Sequence, residues 1–123
     1  MYTLDTNACI YYVHGEESVR RFLDDAVGSG APFYISAVTI TELLRFPRLS
    51  TEEENSILSL LPGFSAIALD SHIARSAGFL GRTHNLKLAD SIIAATALFT
   101  GTTLVTRNIR DFKRVPNLFV EKI

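Results

Sequence analysis

The chain has no tryptophan, one cysteine, one methionine and four prolines among its 123 residues. A single cysteine excludes a disulfide within the chain and fits a reducing compartment. That residue, Cys9, lies in the apolar stretch "ACIYYV" with no base beside it, and so reads as a small core residue, not a nucleophile. Histidine is scarce too: His14, His72 and His84 are scattered, without the spacing of a metal-ligand set. Long apolar runs are missing. The longest, "SIIAATALF", has nine residues beginning just after Asp90, about half of what a bilayer span requires. The first ten residues carry Asp5 and no basic cluster ahead of an apolar region, so no secretory leader is read and a cytoplasmic location is expected.

What is present is ordinary globular usage, 47% hydrophobic and 20% charged residues, at a length suited to one compact domain over residues 1–123. No period of 20–50 residues repeats and no low-complexity linker divides the chain. Net charge is only −1, but its distribution is uneven. Residues 1–61 hold nine acids and four bases (−5), and residues 62–123 hold four acids and eight bases (+4). The basic half hints at an anionic partner.

The order of elements is more informative. "YTLD" reads as a short strand, "TNACIYYV" and "EESVRRFLDDAV" as helices, and "PFYIS" as a second strand. "AVTITELLRF" reads as a helix stopped by Pro47. "STEEENSILSLL" is another, capped by Ser50 or Thr51, with acids in its first turn and Pro62-Gly63 at its end. "FSAIAL" is a third strand, after which Asp70 caps the helix "SHIARSAGFLGRTH", whose Gly78 and Gly81 weaken its later turns. "KLADSIIAATALFT" is apolar on most sides and should be buried, with Gly101 as its stop. "TLVT" and "LFVEK" are strands four and five. Strands alternating with helices predict an α/β fold with a mainly parallel sheet covered on both faces. Ligands in such folds gather beyond the carboxyl ends of the strands.

Four carboxylates are placed to meet there. Asp5 ends strand one, Glu42 follows strand two in a helix, Asp90 opens the buried helix, and Asp111 lies beyond strand four in "TRNIRDF". Each has a plainer explanation alone. Asp5 could cap a helix and Asp90 could complement a helix N-terminus, while Asp111 could organise a turn. Glu42 falls between apolar Val38 and Phe46 on a helical wheel, or could pair with Arg45 on a solvated face. Asp24, Asp25 and Asp70 have better structural explanations, and "EEE" at 52–54 is a solvated helix start. Converging carboxylates repel unless a cation lies among them, and oxygen-only ligation suits Mg²⁺ or Mn²⁺, not zinc. A cation so held can activate water for attack on phosphorus and neutralise the leaving oxygen, the chemistry of phosphodiester hydrolysis.

With "LDTNACI", "SAVTITELL", "LADSIIAATAL" and "LVTRNIRDF" in that order, the chain closely resembles the PIN-domain endoribonucleases, in particular VapC-type toxins of toxin–antitoxin systems. The likeness runs over about residues 2–121. It implies a three-layer α/β/α fold with a five-stranded sheet ordered 3-2-1-4-5, and Mg²⁺- or Mn²⁺-dependent RNA cleavage. By the same likeness Asp5, Glu42, Asp90 and Asp111 match the family's acidic quartet, with Asp5 and Asp90 the firmest metal ligands. Thr6, Asn7, Thr106 and Asn108 match polar positions that support the carboxylates or sit beside the metal. A VapB-type antitoxin and a homodimer are the implied partners. The basic residues Arg82, His84, Lys87, Arg107, Arg110, Lys113 and Arg114 around the last two acids could hold RNA phosphates. Each alone is otherwise a solubilising surface charge.

Competing readings fit less well. A receiver domain wants an acidic pair after strand one and a phosphorylated aspartate on a central strand, whereas here the strand ends in Asp5-Thr6-Asn7. A haloacid-dehalogenase-type phosphatase wants two aspartates one residue apart, and position 7 is Asn. A housekeeping PIN nuclease of RNA processing and a non-catalytic module with an acidic cleft remain as alternatives.

Overall fold

Each of the first four strands passes within a few residues into a helix, and this sets where its carboxyl end points. In the computed structural model, which describes residues 1–123, β1 (Tyr2–Leu4) leads into α1 (Thr6–Val13) and α2 (Glu17–Gly28). The strand β2 (Phe33–Ser36) leads into α3 (Ala37–Leu44) and α4 (Thr51–Leu60), then β3 (Ser65–Ile67) into α5 (Ser71–His84) and α6 (Leu88–Thr100). Finally β4 (Thr103–Thr106) leads into α7 (Ile109–Phe112), and β5 (Val120–Lys122) closes the sheet. All pairings are parallel, in the order β3-β2-β1-β4-β5, as the resemblance implies. Leu4 stands opposite Val105 and Thr3 opposite Leu104.

Successive strand residues face opposite ways, so Leu104 and Val105 feed different cores. Val105 joins Leu4, Ile35, Val19 and Leu23 against α1–α4. Leu104 joins Ile73, Ile93, Ala97 and Phe112 among α5–α7. The completely buried Leu4, Ile35 and Leu104 each contribute roughly 1.5–3 kcal/mol of apolar burial. Seven consecutive buried residues, Ser91–Ala97, make α6 the internal helix its composition predicts. No helix is long and apolar enough to cross a membrane.

The caps follow the local chemistry. Asp70 Oδ1 accepts from the Ile73 amide at 2.8 Å, and Ser50 and Glu53 close a reciprocal capping box on α4. Gly101 ends α6 with φ 65°, a backbone conformation most side chains resist. Cys9 is fully buried, and burial, with the nearby Asp5 charge, pushes its thiol up to about 12. It is an inert core residue at neutral pH.

The observed elements depart from the predicted ones in five places. The third strand pairs only over Ser65–Ile67 and the fifth only over Val120–Lys122. Both are edge strands with one neighbour each, so a ladder on one side alone sets their length. The helix α3 stops at Leu44 with Arg45 as cap, so Phe46 lies outside it and is 60% exposed. The chain also adds a 3-10 turn at Leu61–Gly63 and the four-residue α7, which carries Asp111. Gly78 and Gly81 do not shorten α5, which runs to His84. A Cβ at Gly81 would meet the Ser91 side chain at 3.3 Å, so this glycine lets α5 and α6 approach closely.

Candidate active site

The β1 end supplies Asp5 because Leu4 fills the core and the next residue must turn the chain into α1. Asp5 is the N-cap of α1: Oδ1 accepts from the Ala8 amide at 2.8 Å. Its other oxygen, Oδ2, accepts from the Thr106 hydroxyl at the end of β4. The cap reading and the metal-ligand reading are therefore compatible, since each oxygen keeps a further lone pair. Thr106 Oγ1 in turn accepts from the Asn108 amide at 2.9 Å, which fixes the turn into α7.

Glu42 comes from α3. No ion pair joins it to Arg45; instead Oε1 accepts from the Thr6 hydroxyl at 2.6 Å. Thr6 also lies 3.3 Å from the hydroxyl of buried Thr39, one helical turn before Glu42. Asp111 Oδ2 accepts from Asn108 Nδ2 at 3.0 Å, and Oδ1 stands 3.3 Å from Arg114 and 3.7 Å from Arg110. Asp90 lies in the first turn of α6, half-buried. Of the supporting residues, Thr6, Thr106 and Asn108 each hold a quartet carboxylate, whereas Asn7 is exposed.

Electrostatics tie the four together. Burial raises the pKa of Asp90 above its ordinary value, and the Asp5, Glu42 and Asp111 charges raise it further, against a smaller opposing pull from Lys87. Burial also raises Asp5; hydrogen bonds from Thr106 and Ala8 oppose that, and the Glu42 charge adds to it. No three acidic, His or Cys groups yet stand close enough to share one ion. The two observations are consistent because Coulomb repulsion acts over several ångströms beyond the roughly 2.1 Å of a Mg²⁺–oxygen contact. The four carboxylates thus feel one another's charge without forming a closed ligand shell. Their chemistry suits a hard divalent cation.

Strand order and quartet together raise the question of kinship, and a family model for the PIN domain matches residues 2–118. The chain belongs to the PIN-domain family. It is 29% identical over 126 residues to Ribonuclease VapC19 of Mycobacterium tuberculosis, covering 96% of this chain and 97% of that protein. It is also similar in structure to a chain of VapBC2 from Rickettsia felis, solved bound to a promoter DNA fragment. There the TM-score is 0.85 and the identity 25%, over 99% of this chain and 98% of that one. A toxin–antitoxin complex from Klebsiella pneumoniae gives a TM-score of 0.81 and 28% identity over the full length of both chains.

Not all the basic residues of this PIN domain face the quartet. Arg107 pairs with Glu16, donates from Nε to the Ile123 carbonyl at 3.0 Å, and lies 4.1 Å above the Tyr11 ring. It pins the β4–α7 connection to α1 and α2 and is committed elsewhere than to a phosphate. Arg82 stacks on Phe79 at 5.9 Å. Lys87, Arg110 and Arg114 remain beside Asp90 and Asp111. Thr39 and Glu16 are contributions that sequence reasoning missed. The position of Thr39, three residues before Glu42 on one helical face, was its available signal.

Proposed function

We propose that this protein is a Mg²⁺- or Mn²⁺-dependent endoribonuclease, acting in the cytoplasm as the toxin of a toxin–antitoxin pair. What carries the reading is the presence of Asp5, Glu42, Asp90 and Asp111 in a PIN-domain chain, with the charges of the other three acting on Asp90. Relatives named ribonucleases support the activity, and similarity to chains of VapBC complexes supports a VapB-type antitoxin as partner. A homodimer completes the assembly.

Asp5 and Asp90 are the firmest ligands of the cation, and Glu42 and Asp111 complete the site directly or through water. When bound, the cation neutralises phosphate charge and makes water a stronger nucleophile at neutral pH. The remaining work belongs to the chain. Thr106 and the Ala8 amide hold Asp5 in one orientation, Thr6 holds Glu42, and Asn108 holds Asp111. Raised proton affinity at Asp5 and Asp90 means that cation and protons compete for the same oxygens.

Incubation of the antitoxin-free protein with a mixed RNA pool tests the activity. Cleavage should require Mg²⁺ or Mn²⁺ and vanish with chelator; a folded protein that leaves the pool intact under all metal conditions overturns it. Expression alone should arrest growth, and co-expression of the antitoxin should restore it. RNA cleavage without a growth effect would point instead to a housekeeping nuclease. Mapping cleavage ends on total cellular RNA identifies the substrate.

A further inference from the structure

A cavity of about 310 Å³ opens beside the quartet, lined by Asn85, Leu86, Lys87, Arg110, Asp111 and Arg114. Three cations and one carboxylate give it a net charge of +2, in a chain whose total is −1. The fold builds it from two separate segments. Asn85 ends α5 in the left-handed conformation, with φ 54° and ψ 51°, which turns Leu86 and Lys87 back toward α6. Opposite them, α7 supplies Arg110 and Asp111, followed by Arg114. Arg114 Nη1 reaches the His84 carbonyl at 3.5 Å, linking the two walls. The Arg110 side chain is 84% exposed and its nearest carboxylate is Asp111 at 3.7 Å, so its donors are largely free.

Like charges gathered about a cavity repel unless an anion enters, and a guanidinium matches the paired oxygens of a phosphate diester. One wall is shared with the quartet through Asp111, and Lys87 lies three residues before Asp90. An anion here would therefore sit next to, and not on, the carboxylate centre. We propose that this cavity, through Lys87, Arg110 and Arg114, holds a backbone phosphate of the RNA strand adjoining the bond to be cut. This rests on the nuclease reading and deepens it. Of the basic residues near the last two acids, these three enclose the phosphate; Arg107 positions a loop, and Arg82 and Lys113 lie outside the cavity wall.

Binding of a short labelled single-stranded RNA, measured by fluorescence anisotropy with chelator present so that nothing is cut, tests the proposal. Lys87→Gln with Arg110→Gln should raise Kd about tenfold. It should also lower the slope of log Kd against log salt by about 0.7, the value for one single-strand phosphate contact. Arg82→Gln with Lys113→Gln removes the same charge outside the cavity and should change Kd by no more than about twofold. Equal weakening in both pairs, or wild-type binding by the first, overturns the proposal. Titration of the wild type with inorganic phosphate, followed by amide NMR shifts, should move residues 85–87 and 110–114. Shifts with phosphate but none there with RNA would assign the cavity to a free anion and overturn the RNA assignment. Because binding is read without cleavage, the two readings fail separately. Metal-dependent cleavage with unchanged RNA binding by the cavity pair removes only the phosphate site. Cavity-dependent RNA binding by a protein that cuts nothing removes only the nuclease.

Discussion

Residues 1–61, with a net charge of −5, supply Asp5 and Glu42, while residues 62–123, with +4, supply Asp90 and Asp111. The two pairs are held differently. Asp5 and Glu42 receive neutral donors, the Ala8 amide and the hydroxyls of Thr106 and Thr6. Asp111 lies among Arg110, Arg114 and Asn108, and Asp90 has only the charge of Lys87 in its favour. Neutral donors fix a carboxylate's direction without cancelling its charge; cations reduce the repulsion and fix direction less strictly. The site therefore combines two carboxylates aimed by neutral donors with Asp111, which has cations beside it, and Asp90, on which one lysine acts against three like charges, and the difference is open to test.

The largest expected effect is on cleavage. Asp5→Asn and Asp90→Asn should each lower the rate by about 100-fold or more, the scale on which removing one preorganised electrostatic group acts. Their stabilities should part company. In Asp5→Asn the new amide group faces a Thr106 hydroxyl that had been donating, and a lost hydrogen bond costs about 1 kcal/mol. Asp90→Asn breaks no hydrogen bond and removes the repulsion from three carboxylates, so with chelator it should melt higher than the wild type. The pH dependence has a fixed sign. Both carboxyls have folded pKa values above the roughly 3.9 of a free aspartate. Between those values the folded chain binds more protons than the unfolded one, so wild-type stability falls as pH rises through that window. The advantage of Asp90→Asn should open as pH rises above about 4 and close below it. Thermal unfolding across pH checks this, and equal destabilisation by the two variants would erase the distinction between the pairs.

Asp5 and Asp90 were legible before the geometry because one lies where a strand ends and the other where a helix begins, positions that local patterning marks well; Glu42, inside α3, and Asp111, beyond β4, stood out only through the motifs around them. Their supports were legible only in part. Thr106 and Asn108 stand in the same short segment as Asp111, but the Asp5–Thr106 bond joins residues 101 apart and needs the β1–β4 pairing. Thr39 acts through α1 meeting α3, and Arg107 through an ion pair with Glu16, 91 residues away. A run such as "RNIRDFKR" gives charge density but not direction, so the cation that pins a loop looks like those that line a cavity. The helix α7 escaped because four residues are too few for a helical period to emerge.

A smaller effect is expected at Thr106, whose hydroxyl serves both Asp5 and the Asn108 amide. Thr106→Val keeps the shape and removes both bonds. Cleavage should fall about tenfold, with a stability loss of about 1–3 kcal/mol from the buried groups left unpaired. The acidic limb of the pH–rate profile should move upward, because a hydrogen bond that favours the Asp5 carboxylate is gone. Thr106→Ser should restore most of the rate. A profile that keeps its position while stability falls would make Thr106 a packing residue and weaken the contrast between the aimed acids and the other two.

The smallest effect bears on how the second half is built. The contact between α5 and α6 is the most extensive helix pairing in the molecule, and it sets the start of α6, hence Asp90. Two glycines of α5 separate helix propensity from close approach. Around Gly78 a Cβ meets nothing within 4 Å, so Gly78→Ala should gain roughly the 0.8–1.0 kcal/mol by which alanine exceeds glycine inside a helix. At Gly81 the same Cβ lies 3.3 Å from both Cβ and Oγ of Ser91. Ser91 Oγ is already bonded to the Leu88 carbonyl at 2.7 Å, so the side chain cannot swing aside freely. Gly81→Ala should therefore fall short of the Gly78→Ala gain by about 1 kcal/mol or more in denaturant unfolding. Because Ser91 adjoins Asp90, its displacement should also slow cleavage several-fold while Gly78→Ala leaves the rate unchanged. Equal stability and equal rates in the two variants would mean that the α5–α6 approach does not set the position of Asp90.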